Sequence, residues 1–211
     1  AGAFFHGQRI FVGTRAGLLV SDDGGQSFVP GPMTGIPPGE AMVSLAGAKA
    51  NGQVRLFCVT LEAGAVYPGM QGDEHWSYRG IYRLDYDVAP TWVAVGNQLA
   101  GHAFFIAMAR ENPYVAYAAG ATVEPDAPAV FKTVDGGQTW QAIFQTELNH
   151  NIGTGWQGAQ GDREWTYGEY ALGLAVCPAD ADRVMLTDLG FVHGTTNGGA
   201  TWHQLYVDPR D

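Results

Sequence analysis

Thr133-Val134-Asp135-Gly136-Gly137-Gln138-Thr139-Trp140 decides how this chain is read, because the same pattern occurs twice more. Ser21-Asp22-Asp23-Gly24-Gly25-Gln26-Ser27-Phe28 precedes it, and Thr195-Thr196-Asn197-Gly198-Gly199-Ala200-Thr201-Trp202 follows it. Each copy runs hydroxyl, any residue, Asp or Asn, Gly-Gly, any residue, hydroxyl, aromatic. An Asp or Asn side chain accepts hydrogen bonds from backbone N–H groups just ahead of it, and glycine supplies the positive φ such a turn requires. The aromatic is then expected to drop into an apolar layer and anchor the turn. Strand, tight turn and strand make a β-hairpin, so the repeat is a repeat of hairpins.

Apolar runs flank every copy. Arg9 to Thr14, Leu18 to Val20 and Phe28-Val29 read as the strands of a first unit, and the proline-rich stretch 30–40 reads as a connector. In the second unit Met42 to Ala46 and Gln53 to Thr60 are joined by Asn51-Gly52, a strong hairpin signal. A long excursion from Leu61 to Arg79 follows, and Trp92 takes the aromatic position of a degenerate copy that lacks Gly-Gly. The third and fourth units repeat the plan. The aromatics at 28, 92, 140 and 202 are spaced as in propeller blades, with blades at 1–32, 41–97, 102–146 and 170–207 and only three strands in the first. Propellers close with typically 4 to 8 blades, so the chain is expected to be about four blades of a larger ring.

The three copies resemble the Asp-box of bacterial neuraminidase repeats. That motif is found in sialidases, in the xyloglucanase family of glycoside hydrolases, in sortilin-type receptors and in several polysaccharide lyases. The resemblance implies an all-β fold, a β-propeller of four-stranded antiparallel blades with an Asp-box between the third and fourth strands of a blade. It makes Asp23, Asp135 and Asn197 structural turn residues. It also implies a secreted or periplasmic location. Activity has to be argued from the site, since sites are grafted onto folds.

Composition agrees with a turn-rich β protein: 30 glycines, 12% aromatic and only 15% charged residues in 211. The net charge of −10, from 21 acidic against 11 basic residues, argues against a nucleic-acid binder, which needs a basic face to neutralise phosphates. Cys58 and Cys177 are too few for a disulfide scaffold, and each sits in an apolar run as a buried thiol would. No apolar stretch approaches the ~20 residues of a membrane helix. The chain opens on Ala1 rather than Met, as it would after removal of a leader or a longer N-terminal region. No histidine spacing marks a zinc site, and no cofactor is implied.

Blade topology sorts the candidate residues. With strands A to D running outward, the A–B and C–D turns share one face, while B–C loops and D–A connections share the other. The Gly-Gly turns lie on the first face. The second carries the excursion 61–79, with Trp76 and Arg79, and the connection 147–170, with Trp156, Trp165, Tyr167 and Glu169. Long loops in compact domains are usually functional, and these are too aromatic for disorder. Trp and Tyr beside carboxylates and Arg suit a glycan cleft, where rings stack on pyranose faces; the same rings could equally pack the loops onto the propeller.

Arg15 and Asp188 occupy matching B–C turns of the first and fourth units, and His102 opens strand A of the third. Thr187-Asp188-Leu189-Gly190 resembles the turn that holds a catalytic aspartate in the xyloglucanase family. By that resemblance Asp188 is one catalytic carboxylate, and Glu169 is chosen as its partner ahead of Asp73 and Glu74. A structural alternative is that Asp188 caps its own turn. The expected partner is a polysaccharide or glycan, together with the remaining blades of the ring. Three activities stay open: a glycoside hydrolase, a non-catalytic glycan- or protein-binding module of the sortilin type, and a lyase using His, Tyr and Arg. A sialidase is disfavoured, because its Arg-Ile-Pro entry motif does not occur.

Overall fold

The structure, a computed structural model, describes residues 2–66, 77–123, 127–155, 167–168 and 170–205. Four antiparallel sheets are arranged as a 4-blade β-propeller. Blade 1 is β1 Ala3–His6, β2 Arg9–Thr14, β3 Gly17–Ser21 and β4 Val29–Pro30; blade 2 is β5 Glu40–Ala50, β6 Gln53–Glu62, β7 Tyr78–Asp85 and β8 Ala89–Ala94. Blade 3 is β9 Gly101–Met108, β10 Ala116–Thr122, β11 Pro128–Thr133 and β12 Gln141–Ala142. A short β13, Ile152–Gly153, precedes blade 4, which is β14 Gly173–Cys177, β15 Asp180–Thr187, β16 Val192–Thr195 and β17 Trp202–Gln204. Within each blade the strands pair in chain order, and β13 adds to β17 in parallel as a fifth strand. No helix among the described residues is long and apolar enough to cross a membrane.

The first blade corrects the expectation of three strands. β1 completes it, and the sequence hides β1 because Phe4 is its one buried side chain, stacked 6.1 Å from Phe11. Asn51 and Gly52 take φ of 52° and 81°, as a two-residue hairpin turn demands. Cys58 is buried as expected, whereas Cys177 is half-buried.

Three apolar clusters hold the blades together, each built from two neighbouring sheets. The strand registers show why the seams are alike. Val20, Arg83, Lys132 and Gly194 lie opposite the residue after each turn aromatic. Their partners on the second strand are Phe11, Phe57, Tyr117 and Met185. Phe11, Phe57 and Tyr117 are fully buried under the next blade. Across each seam an indole N–H donates back to the preceding blade: Trp92 to the Pro32 carbonyl at 2.8 Å, Trp140 to Val95 at 2.7 Å, and Trp202 to Ile143 at 3.0 Å. Phe28 holds the same position in blade 1, on the side away from blade 2, and is 42% exposed rather than anchored in an apolar layer.

The Gly-Gly turns share one hydrogen-bond set. The Thr133 hydroxyl donates to Asp135 Oδ1 and accepts the Gly137 N–H, both at 2.8 Å. Asp135 also accepts the N–H groups of Gln138 and Thr139 and the Thr139 hydroxyl. Ser21, Asp23 and Ser27 repeat the set, and Thr195, Asn197 and Thr201 repeat it with the Asn amide donating to the Thr201 hydroxyl. The first glycine of each pair ties the turn to the first hairpin of its own blade. Gly24 donates to Gln8, Gly136 to Tyr114 and Gly198 to Asp182, each at 2.9 Å.

Candidate functional site

Because each blade is a meander, the β6–β7 and β15–β16 connections emerge on the face opposite the Gly-Gly turns, as do the links between blades. Arg15, Arg79, His102, Tyr167 and Asp188 therefore all belong to one face. Glu169, Trp76, Trp156 and Trp165 lie outside the described residues.

The structure gathers the described candidates into two groups. Arg79 and His102 meet between blades 2 and 3, where with Tyr78, Gly80, Leu99 and Ala103 they line a cavity of ≈ 60 Å³. Arg79 is ion-paired with Glu62, at the end of β6. Glu40, paired with Glu62 in register, accepts the Thr60 hydroxyl at 2.6 Å and the Tyr82 hydroxyl at 3.3 Å. Burial, and then the Glu40 charge, push the Tyr82 hydroxyl up to about 12, so it acts as a donor. Glu40 and Glu62 are carboxylates that motif reading missed; their place at strand ends on the loop face was the available signal.

The second group surrounds Asp188. This residue does cap its own turn: its Oδ1 accepts the Phe191 N–H at 3.0 Å, and its backbone closes the turn with Phe191 and Gly190. Oδ2 lies 3.4 Å from His193 Nε2, and both side chains are 0% exposed. The His193 ring packs against Phe144 at 5.1 Å and Tyr167 at 5.8 Å, and its Nδ1 has no hydrogen-bond partner among the described residues. Tyr167 donates its hydroxyl to Asn149 Oδ1 at 2.6 Å. His193 was not legible as a site residue, since a lone histidine between apolar neighbours reads as core.

A file of rings leads from one group toward the other. Tyr78 stacks on Phe104 with centroids 4.4 Å apart, and Phe104 lies 6.3 Å from Tyr170. Arg15 stands exposed on the β2–β3 turn. Among the described residues no group of three or more His, Cys, Asp or Glu side chains is placed to hold a metal ion.

No protein-family model and no curated protein matches the sequence. Solved structures do match the fold. The GH74 xyloglucanase from Xanthomonas campestris superposes with a TM-score of 0.66 at 17% identity, over 93% of this chain and 28% of that one. An ancestral GH74 enzyme gives 0.56 at 16%, over 96% of this chain and 23% of its own. A polysaccharide lyase of family PL25, an ulvan lyase, gives 0.50 at 9%, over 96% and 54%. These identities speak for the fold. The chain spans 28% and 23% of the length of the two GH74 proteins.

Proposed function

We propose that this chain contributes a glycan-binding face to a carbohydrate-active propeller of the glycoside-hydrolase type. The observation that carries the reading is the junction of blades 2 and 3. There a cation ion-paired with a carboxylate, an imidazole and a stacked pair of rings stand together on the loop face, the combination that grips sugar hydroxyls and pyranose faces. The likeness in fold to GH74 enzymes supports it. In this proposal Asp188 and Glu169 are the carboxylate pair, one as acid and the other as base or nucleophile. Arg15, Arg79, His102 and Tyr167 bind substrate, with Trp76, Trp156 and Trp165. The Gly-Gly turns are Asp-boxes with a structural role, and the protein works outside the cytoplasm.

A second reading, non-catalytic glycan binding, is favoured by one observation: Asp188 is enclosed with both carboxylate oxygens engaged. Hydrolysis requires the turn to open and present it. A polysaccharide panel scored for new reducing ends, for ultraviolet absorbance from unsaturated ends and for binding separates hydrolase, lyase and binding module. The hydrolase reading expects Asp188→Asn and Glu169→Gln each to lose nearly all reducing-end release while keeping the fold. Full activity in either variant removes that residue from the mechanism, and binding with no cleavage by the unmodified chain establishes the second reading.

A further inference from the structure

A hollow of ≈ 600 Å³, within the size range of ligand sites, opens at the internal seam between the outermost strand of blade 3 and the Gly-Gly turn of blade 4. It shares no lining residue with the cavity of Arg79 and His102. Two clamps fix the spacing of its walls. At one end Lys132 donates to the Gly198 carbonyl at 3.0 Å, pairs with Asp182 at 3.6 Å and lies 5.2 Å from the centre of the Tyr117 ring. At the other, the Asn151 amide donates to the carbonyls of Ile143 at 2.8 Å and Gly199 at 3.2 Å, while its oxygen accepts the Gln145 N–H at 3.1 Å. The hollow is therefore formed before anything enters it, which spares a ligand the cost of ordering its walls.

The third Gly-Gly turn departs from the other two at this place. In the first two, Asp23 and Asp135 take the protons of the Ser27 and Thr139 hydroxyls, both at 2.6 Å. In the third, Asn197 Oδ1 accepts the Thr201 N–H at 3.0 Å, so the amide nitrogen faces the Thr201 hydroxyl and donates to it at 2.8 Å. That bond is reversed, and the Thr201 hydroxyl keeps its own proton to give to the hollow it lines. Asn in place of Asp also removes a negative charge from the wall. The chain has 21 acidic residues against 11 basic, yet no carboxylate among the described residues lines the hollow.

Gln141, Gln145 and His150 supply the rest of the polar lining that the clamps leave over. Their side chains have no hydrogen-bond partner among the described residues. Val134, 63% exposed, and Ala142 add apolar surface beside them. A primary amide both donates and accepts, and so do a hydroxyl and a neutral imidazole. Such a lining suits a ligand whose own groups do both. Lys132, the one ammonium in the lining, is already committed to a carbonyl, a carboxylate and a ring, so the hollow offers no spare charge to an ion.

We propose that this hollow is a second binding site, which takes a neutral oligosaccharide on the outer rim of the molecule. Sugar hydroxyls bond to Gln141, Gln145, His150 and the Thr201 hydroxyl, and the C–H face of a ring lies on Val134 and Ala142. A uronate-bearing oligosaccharide is disfavoured, because its carboxylate would lose water and find no free cation. The site stands on its own residues and does not depend on what the loop face binds.

Titration of the full chain with cellotetraose, mannotetraose and trigalacturonate, followed by the side-chain amide signals of Gln141 and Gln145 in NMR spectra, tests this. The expected result is that a neutral tetrasaccharide shifts both amides with a Kd of about 1 mM or tighter, and that trigalacturonate binds there about 10-fold more weakly. Asn197→Asp copies the first two turns and so keeps the fold and melting temperature. It turns the Thr201 proton back into the turn and charges the wall, and should weaken binding about 10-fold or more. Gln141→Ala, at an exposed position whose side chain holds no other residue, should weaken it several-fold. The proposal is overturned if neither tetrasaccharide shifts the two amides, if trigalacturonate binds there more tightly, or if Asn197→Asp binds as well as the unmodified chain. Shifts confined to loop-face residues overturn this site and leave the loop-face reading standing, whereas shifts at Gln141 and Gln145 that persist in Arg79→Ala support it whatever the loop face does.

Discussion

Replacing Thr133 by valine keeps the shape of the best-formed Gly-Gly turn and deletes one hydroxyl. That hydroxyl accepts the N–H of Gly137 and donates to Asp135, both at 2.8 Å, and Thr133 and Gly137 are buried. Asp135 keeps its bonds to Gln138 and Thr139 in the variant, so the uncompensated loss is the Gly137 N–H, left without an acceptor out of reach of water. Such a group costs about 1–3 kcal/mol, and we expect about 2 kcal/mol here. For a protein of this size that lowers Tm by roughly 4–8 °C. Thr139→Val is the control. Its hydroxyl is exposed and bonds Asp135 Oδ2 at 2.6 Å, so water replaces the lost partner and the cost stays under about 1 kcal/mol. Urea unfolding followed by tryptophan fluorescence reads both variants. If Thr133→Val costs no more than Thr139→Val, the hydroxyl does not organise the turn and the physical account of the repeat is wrong.

Trp202→Phe removes the N–H donated to the Ile143 carbonyl, but that carbonyl keeps the Asn151 amide at 2.8 Å, so the loss is about 1 kcal/mol, against about 3–5 kcal/mol for Trp202→Ala in denaturant titration. Equal losses would place all the worth of Trp202 in its hydrogen bond. The Thr139 hydroxyl, followed by the Thr139 N–H, holds the Asp135 carboxyl down to about 2. A carboxyl depressed on folding adds stability above its unfolded value and loses it as pH falls, so melting should decline between about pH 4 and about pH 2. Asp135→Asn, which copies Asn197 in the third turn, should flatten that decline; an unchanged acid limb assigns it to other groups. Burial pushes the Cys58 thiol up, so a thiol reagent at mildly alkaline pH should label Cys177 first and reach Cys58 only on unfolding, as mass spectrometry would show.

The architecture was legible because its signal is local. A hydroxyl, an acid or amide, two glycines and an aromatic must lie within eight residues to close one turn, and that pattern numbered the blades. β1 escaped notice because a four-residue strand burying one side chain has no periodicity to read. β13 escaped because a two-residue strand added in parallel owes its conformation to β17, far away in the chain. The site was legible only by face. Topology placed Arg79 and His102 together without showing that they share a cavity, and it could not show that Asp188 turns inward to its own Phe191 N–H and to His193. That choice depends on packing by Phe144 and Tyr167, which come from a different stretch of chain.

The short outer strands have a consequence for how this molecule behaves when crowded. An exposed sheet edge is a template on which a foreign strand can grow toward aggregates. In blade 1 the edge is only Val29–Pro30, where proline has no N–H to offer, and in blade 3 it is only Gln141–Ala142. In blade 4 the place beside Trp202 and His203 is already taken by Ile152 and Gly153, which Asn151 fastens by accepting the Trp202 N–H at its carbonyl. β8, Ala89–Ala94, is the longest outer edge among the described residues, and Pro90 interrupts its donors. Substituting Pro90 with a β-branched residue therefore opens the longest of these described edges to amyloid-like growth.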